Sequence, residues 1–171
     1  MELIEYFAEL YRNKEQFNTC TCAYAAMHGD VYCLQYLHER GYPWNEDTCT
    51  NAAMRSDVSI LRYAHENGCP WDKTACEKAA KYGSIECLRY LHENGCPWDE
   101  KTCAQAAYNG HIKCLRWLHE NNCPWGKDEV TCMALTGGHP ECMRYMHGYD
   151  CVCDHCMRYI HILKLNKKII Y

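Results

Sequence analysis

Cys96-Pro97-Trp98-Asp99-Glu100-Lys101-Thr102-Cys103-Ala104-Gln105-Ala106-Ala107-Tyr108-Asn109-Gly110-His111-Ile112-Lys113-Cys114-Leu115-Arg116-Trp117-Leu118-His119-Glu120-Asn121-Asn122 is one copy of a text that runs through most of this chain. Its Pro-Trp pair recurs as Pro43-Trp44, Pro70-Trp71, Pro97-Trp98 and Pro124-Trp125, at intervals of 27 residues. A fixed period of roughly 20–50 residues means stacked supersecondary units, each burying its apolar face only against its neighbours. Such a stack offers a long surface and has no deep central pocket in its design.

Each unit holds two short helices. The first runs from about Lys101 to Tyr108, with Asp99 or Thr102 placed to cap its free amides. Ala106 and Ala107 are small enough to let neighbouring helices approach closely. Asn109-Gly110 supplies the left-handed residue that ends a helix. Ile112, Leu115, Leu118 and His119 then mark one face of the second helix by their spacing. That helix stops near Asn121-Asn122, and Pro124 blocks continuation. No segment alternates with period two, so the chain reads as all-α.

The rest of the composition excludes more than it assigns. A net charge of −4, with both signs mixed along the chain, lacks the basic stripe of a nucleic-acid binder. No apolar run approaches the roughly 18–20 residues of a membrane span. Met1-Glu2-Leu3-Ile4-Glu5 has neither the basic start nor the small-residue cleavage site of a signal peptide.

Sixteen cysteines would suggest a disulfide scaffold in a short secreted protein. Here most of them follow the repeat. Cys49, Cys76 and Cys103 form one column, Cys33, Cys87, Cys114 and Cys142 a second, and Cys69, Cys96, Cys123 and Cys151 a third. Equivalent positions in stacked helices lie roughly 8–10 Å apart. A disulfide needs Cα atoms within about 7 Å. Members of one column therefore stay free thiols that pack as small apolar groups, which implies an intracellular, reducing compartment.

The run from Thr102 to Leu118 resembles the ankyrin repeat. In that family Thr-Pro-Leu-His opens the first helix, Ala-Ala and Gly-His follow, and Val-Val-x-Leu-Leu forms the second. Cys103, Ala104 and Gln105 depart from Pro-Leu-His, and Cys114 replaces a valine. The usual unit is about 33 residues. The missing residues fall between Asn94-Gly95 and Thr102, where the family carries a β-turn finger. The short form, with Cys-Pro-Trp-Asp and Leu-His-Glu-Asn-Gly, is similar to repeats abundant in large DNA viruses of amoebae. The resemblance implies an ankyrin-like helix-turn-helix solenoid with truncated fingers, placed in host cytoplasm or virion if viral.

The copies divide the chain into repeats at about 17–41, 42–68, 69–95, 96–122 and 123–150. Residues 1–16 are expected to form an N-terminal capping helix, and 151–171 a cysteine-rich C-terminal cap. Cys156-Met157-Arg158-Tyr159-Ile160-His161 echoes Cys142-Met143-Arg144-Tyr145-Met146-His147 at an offset of 14, as a second helix repeated without its first.

Three ladders run along the copies. Trp44, Trp71, Trp98 and Trp125 each fill the gap left by the missing finger and serve stacking. His38, His65, His92, His119 and His147 are expected to be half-buried and hydrogen-bonded, too far apart to share one zinc. Arg62, Arg89 and Arg116 precede Glu66, Glu93 and Glu120 by four residues, as solvated surface pairs. Outside these ladders, Cys153-x-x-Cys156 has zinc-knuckle spacing. Cys142, Cys151, His147 or His155 could complete four ligands.

No catalytic set stands apart from the stacking text, so the expected function is non-enzymatic: a monomeric module or adaptor binding a protein partner. Positions that differ between copies mark where. Asn51, Arg55, Glu77, Lys78, Lys81, Tyr82, Gln105, Tyr108, Asn109 and His111 lie on the first helices and the turns after them. In ankyrin-like stacks this is the concave side. No cofactor, nucleic acid or membrane is implied. The alternatives are a zinc-binding or redox-responsive protein centred on residues 151–156, and a structural virion or assembly component.

Overall fold

The computed structural model describes residues 20–147. Within them the helices alternate in pairs: α1 (Cys20–His28) with α2 (Val31–Glu39), α3 (Glu46–Ala53) with α4 (Val58–Glu66), and α5 (Lys73–Tyr82) with α6 (Ile85–Glu93). Two more pairs follow, α7 (Glu100–Tyr108) with α8 (Ile112–Glu120), and α9 (Lys127–Thr136) with α10 (Pro140–His147). No strand occurs among the described residues. The expected N-terminal capping helix and cysteine-rich C-terminal cap lie outside them.

Helix starts follow from local chemistry. Asp30 accepts from the Tyr32 and Cys33 amides, at 2.9 and 3.2 Å. Asn45, Asp57 and Asp99 accept from Asp47, Ser59 and Lys101 in the same way. Each satisfies an amide that the first turn leaves without an intrahelical partner. Of the two cap candidates in the quoted unit, Asp99 does the capping; Thr102 is fully buried and its hydroxyl has no hydrogen-bond partner. At the far end Asn122 takes φ +60°, the slot that Gly95 fills with φ +79° one copy earlier. Asparagine is among the few non-glycine residues that tolerate this region.

The described helices fall into two compact units, one running up to Ala79 and including Ser84–Pro97, the other made of Ala80–Gly83 and the described residues from Trp98 on. In the first, α1 packs against α3, α2 against α4 and α4 against α6. Ala26, Ala52 and Ala53 are fully buried there, as are Leu34, Ile60, Leu61, Leu88 and Leu91. In the second, α7 packs against α9 and α8 against α10. Ala106, Ala107, Leu115, Leu118, Val130 and Met146 close that core. The most extensive packing in each unit is between first helices, where alanine pairs remove the bulk that would hold helices apart. Each buried leucine contributes roughly 1.5–3 kcal/mol by leaving water.

Asp30 has a second partner. Its carboxylate accepts from the Cys33 thiol at 3.0 Å. That bond, aided by the amides, holds the carboxyl below its ordinary range despite some desolvation. A depressed folded pKa means that the stabilisation is present above the unfolded aspartate pKa. It is lost as pH falls through the lower folded value. Asp30→Ala should therefore cost about 1 kcal/mol near neutral pH, and the loss should shrink in acid. Denaturant melts of both proteins at neutral pH and near pH 3 would show it; an equal difference at both would refute the charged cap.

Candidate functional site

The partner face expected from the sequence centres on the ends of the first helices. In the second unit, Lys81 and Tyr82 end α5, and Tyr108 ends α7. Tyr82 and Tyr108 are 45% and 41% exposed. The Lys81 ammonium lies 5.5 Å from the centre of the Tyr82 ring, within cation–π range. Glu77 and Lys78 sit earlier on α5, both half-buried. Gln105 and Asn109 are also half-buried, and the Asn109 amide donates to the Gln105 carbonyl at 2.9 Å. These two largely finish the end of α7.

His111 belongs to the stack as well as to the face. Its Nε2–H donates to the Lys81 carbonyl at 2.9 Å, which orients the imidazole. The ring then lies over Gly83, so close that a β-carbon there would stand 2.6 Å from Nδ1. Gly83 has φ +72°, so backbone conformation and space both favour glycine. The next turn repeats the device, with the His139 ring against Gly110. In the first unit a different residue does the same work: the Arg55 guanidinium lies against Gly29. Asn51 there donates to the Ala23 carbonyl at 3.0 Å. Variation between copies thus marks two kinds of position. Some face solvent, and others join one turn to the next with changing chemistry.

In the first unit, two exposed side chains on the first helix escape an argument based on differences near the centre of the chain. Tyr24 and Met27 of α1 are 37% and 36% exposed. Met27 holds the register of Lys81 and Tyr108, at offsets that are multiples of 27, so the repeat itself could have identified it.

The tryptophans and histidines form composite joints. His65 stacks on Trp71 with ring centres 3.7 Å apart, and its Nδ1 is hydrogen-bonded to the Tyr90 hydroxyl at 3.0 Å. Tyr90 meets the Trp71 ring edge-on at 6.3 Å. His38, Trp44 and Tyr63 repeat the joint earlier in the first unit. His119, Trp125 and Tyr145 repeat it in the second. Desolvation is the main cause pushing the Tyr63 and Tyr90 phenols above their ordinary range. His92 is half-buried in the same slot of α6. Trp117 takes the place of the tyrosine in the second unit and meets Trp98 edge-on at 5.8 Å. All four ladder tryptophans are half-buried.

The second helices carry the opposite face. A shallow groove of about 450 Å³ between α8 and α10 is lined by Ile112, Arg116, Glu141, Arg144 and Tyr145. The arginine row is less simple than the expected pairs. Arg89 meets Glu86, one turn before it, at 3.7 Å. Arg62 and Arg116 extend over the rings of Tyr90 and Tyr145, at 5.6 and 5.2 Å.

Of the four cysteines considered for zinc, Cys142 is fully buried and desolvation pushes its thiol up to about 11. Cys151, Cys153 and Cys156 lie outside the described residues. Among the described residues no group of three or more His, Cys, Asp or Glu is placed to hold a metal ion. Twelve described cysteines are free thiols, all buried but Cys20.

Residues 76–119 match the family model of ankyrin repeats (many copies). Among solved structures, the human ASB11 ankyrin repeat domain is similar to this chain, with a TM-score of 0.64 and 19% sequence identity. The match covers 75% of this chain and 68% of that one. No curated protein matches. The fold is that of an ankyrin-repeat domain, built of helix pairs without strands among the described residues.

Proposed function

We propose that this protein is a non-enzymatic interaction module that binds a protein partner on the first-helix face, around Lys81, Tyr82 and Tyr108. The observation that carries the reading is the exposure of two tyrosines at the ends of α5 and α7. Tyrosine is enriched among binding hot spots because it brings large area at low entropic cost. His111 supports the reading by drawing the turn after Tyr108 onto the Lys81 carbonyl, so both tyrosines flank one fixed junction. Ankyrin-type stacks use such extended surfaces for protein recognition. The Cys-Pro-Trp-Asp linkers keep the likeness to repeats of amoebal viruses, and a host-directed adaptor is the role that fits it. An intracellular, reducing setting goes with this reading, because the buried thiols serve as packing groups.

Tyr82→Ala with Tyr108→Ala should leave helix content and melting nearly unchanged, since both side chains face solvent. Partners would first be captured from cell extract on the parent protein and identified by mass spectrometry. Affinity for such a partner should then fall by roughly 2 kcal/mol or more if both rings are hot spots. Arg116→Ala with Arg144→Ala, in the groove between α8 and α10, should change little. Loss in the arginine pair with unaltered binding in the tyrosine pair would move the interface to the second-helix face and refute the assignment.

A further inference from the structure

The groove between α8 and α10 has a counterpart in the first unit that carries the opposite charge. That counterpart lies along α2 and α4, holds about 400 Å³, and has Val31, Gln35, Asp57, Arg62, Tyr63 and Glu66 in its lining. The two share a register, allowing for the one-residue insertion after Trp125. Val31 answers to Ile112, Arg62 to Arg144 and Tyr63 to Tyr145, while Gln35 answers to Arg116. The first groove therefore sets one arginine against two carboxylates, a net negative charge of one. The second sets Arg116 and Arg144 against Glu141, a net positive charge of one.

The charges of the second groove are available. Arg116 and Arg144 are exposed, and among the described residues neither forms an ion pair. Arg116 is nevertheless oriented, because its guanidinium lies 5.2 Å from the centre of the Tyr145 ring, within cation–π range. Tyr145 is itself fixed. Its hydroxyl is hydrogen-bonded to His119 Nδ1 at 2.9 Å, and its ring meets Trp125 edge-on at 6.4 Å. A guanidinium resting on a ring keeps donors free for a carboxylate. Ile112 and Tyr145, both half-buried, add apolar surface to the lining.

We propose that this groove binds a protein segment that carries one aspartate or glutamate among apolar residues, its carboxylate on Arg116 and Arg144 and its apolar side chains on Ile112 and Tyr145. Charge-assisted bonds from arginine to a carboxylate are strong and geometrically selective. The charge balance favours a single carboxylate, which one net positive charge matches. Glu141 repels the second charge that a phosphate group would bring. A nucleic acid is a poorer match still, since a chain of net charge −4 offers no basic stripe along which a polyanion could lie. The first groove, of similar size and the opposite charge, does not take this ligand. The segment is separate from the partner of the first-helix face, whose affinity these arginines leave unchanged.

The experiment selects binders from a displayed library of short random peptides on the full chain carrying Tyr82→Ala and Tyr108→Ala. With the tyrosine face silenced, the result does not depend on the partner proposed for it. Selected peptides should carry Asp or Glu beside apolar residues and bind the parent chain equally well. Arg116→Gln, which gives the second groove the residue of the first, should weaken them by roughly tenfold, the effect of losing one hydrogen bond to a charged group. Arg144→Gln should do the same, and Glu141→Gln should tighten binding. Circular dichroism checks folding; if Arg116→Gln unfolds for want of its ring contact, Arg144→Gln and Glu141→Gln decide. The proposal is overturned if the selected peptides lack an acidic residue, or if the arginine variants bind them as the parent does. It is equally overturned if phosphoserine in place of the acidic residue binds more tightly.

Discussion

Gly83→Ala is expected to destabilise the protein by about 3 kcal/mol, through two effects that act at one atom. Alanine at φ +72° costs roughly 1–2 kcal/mol for the left-handed backbone. Its β-carbon would also lie 2.6 Å from His111 Nδ1, and the ring must move. Moving it gives up the bond to the Lys81 carbonyl, worth about 1 kcal/mol. The two parts separate in a double-mutant cycle. In a His111→Ala background the clash disappears while the backbone cost remains, so Gly83→Ala should then cost about 1–2 kcal/mol. Denaturant melts of the four proteins measure this directly. A simple sum of the single effects would show that the histidine ring does not rest on Gly83.

Trp71→Ala should cost a similar amount, about 3 kcal/mol. A fully buried tryptophan costs roughly 3–5 kcal/mol when truncated, and Trp71 is only half-buried. It also loses the stack on His65 and the edge contact with Tyr90, each worth about 0.5–1.5 kcal/mol for such ring pairs. In a stack whose stability is a sum over neighbours, the damage weakens the adjoining interfaces too. Tyr90→Phe is the informative companion. It keeps the ring and removes the hydroxyl bonded to His65 Nδ1, so about 1 kcal/mol should go. A Trp71→Ala variant that melts like its parent but loses a captured partner would make the tryptophans a binding rail instead of a joint.

The joints show why much of this molecule could be read in advance. Proline-tryptophan at fixed intervals, paired alanines and Asn-Gly turns are local signals, each setting a helix end or a packing distance within a few residues. Gly110 with φ +75° follows from residue chemistry alone, while the structure chose Asp99 over Thr102 as the cap. The alanine and leucine columns likewise locate the core, because a residue kept in register at every copy is one that every neighbour must meet. Tyr82 and Tyr108, singled out by their change between copies, are exposed.

What lay beyond the sequence are relations between residues 20 to 30 positions apart whose partners belong to different columns. His111 reaches the Lys81 carbonyl and rests on Gly83, although variation alone marked it as free to suit a partner. The Cys49 thiol lies 3.8 Å from the Cys69 carbonyl oxygen, although the two residues belong to different columns. Tyr90 completes the pairing of His65 with Trp71 from the next helix pair. The repeat by itself determined the helix pairs, their turns and the residues that must be buried, because those depend on local propensity and a constant step. Only the tertiary structure decided which unlike columns touch. That choice rests on how far each side chain extends across the step and on which buried donor finds an acceptor there.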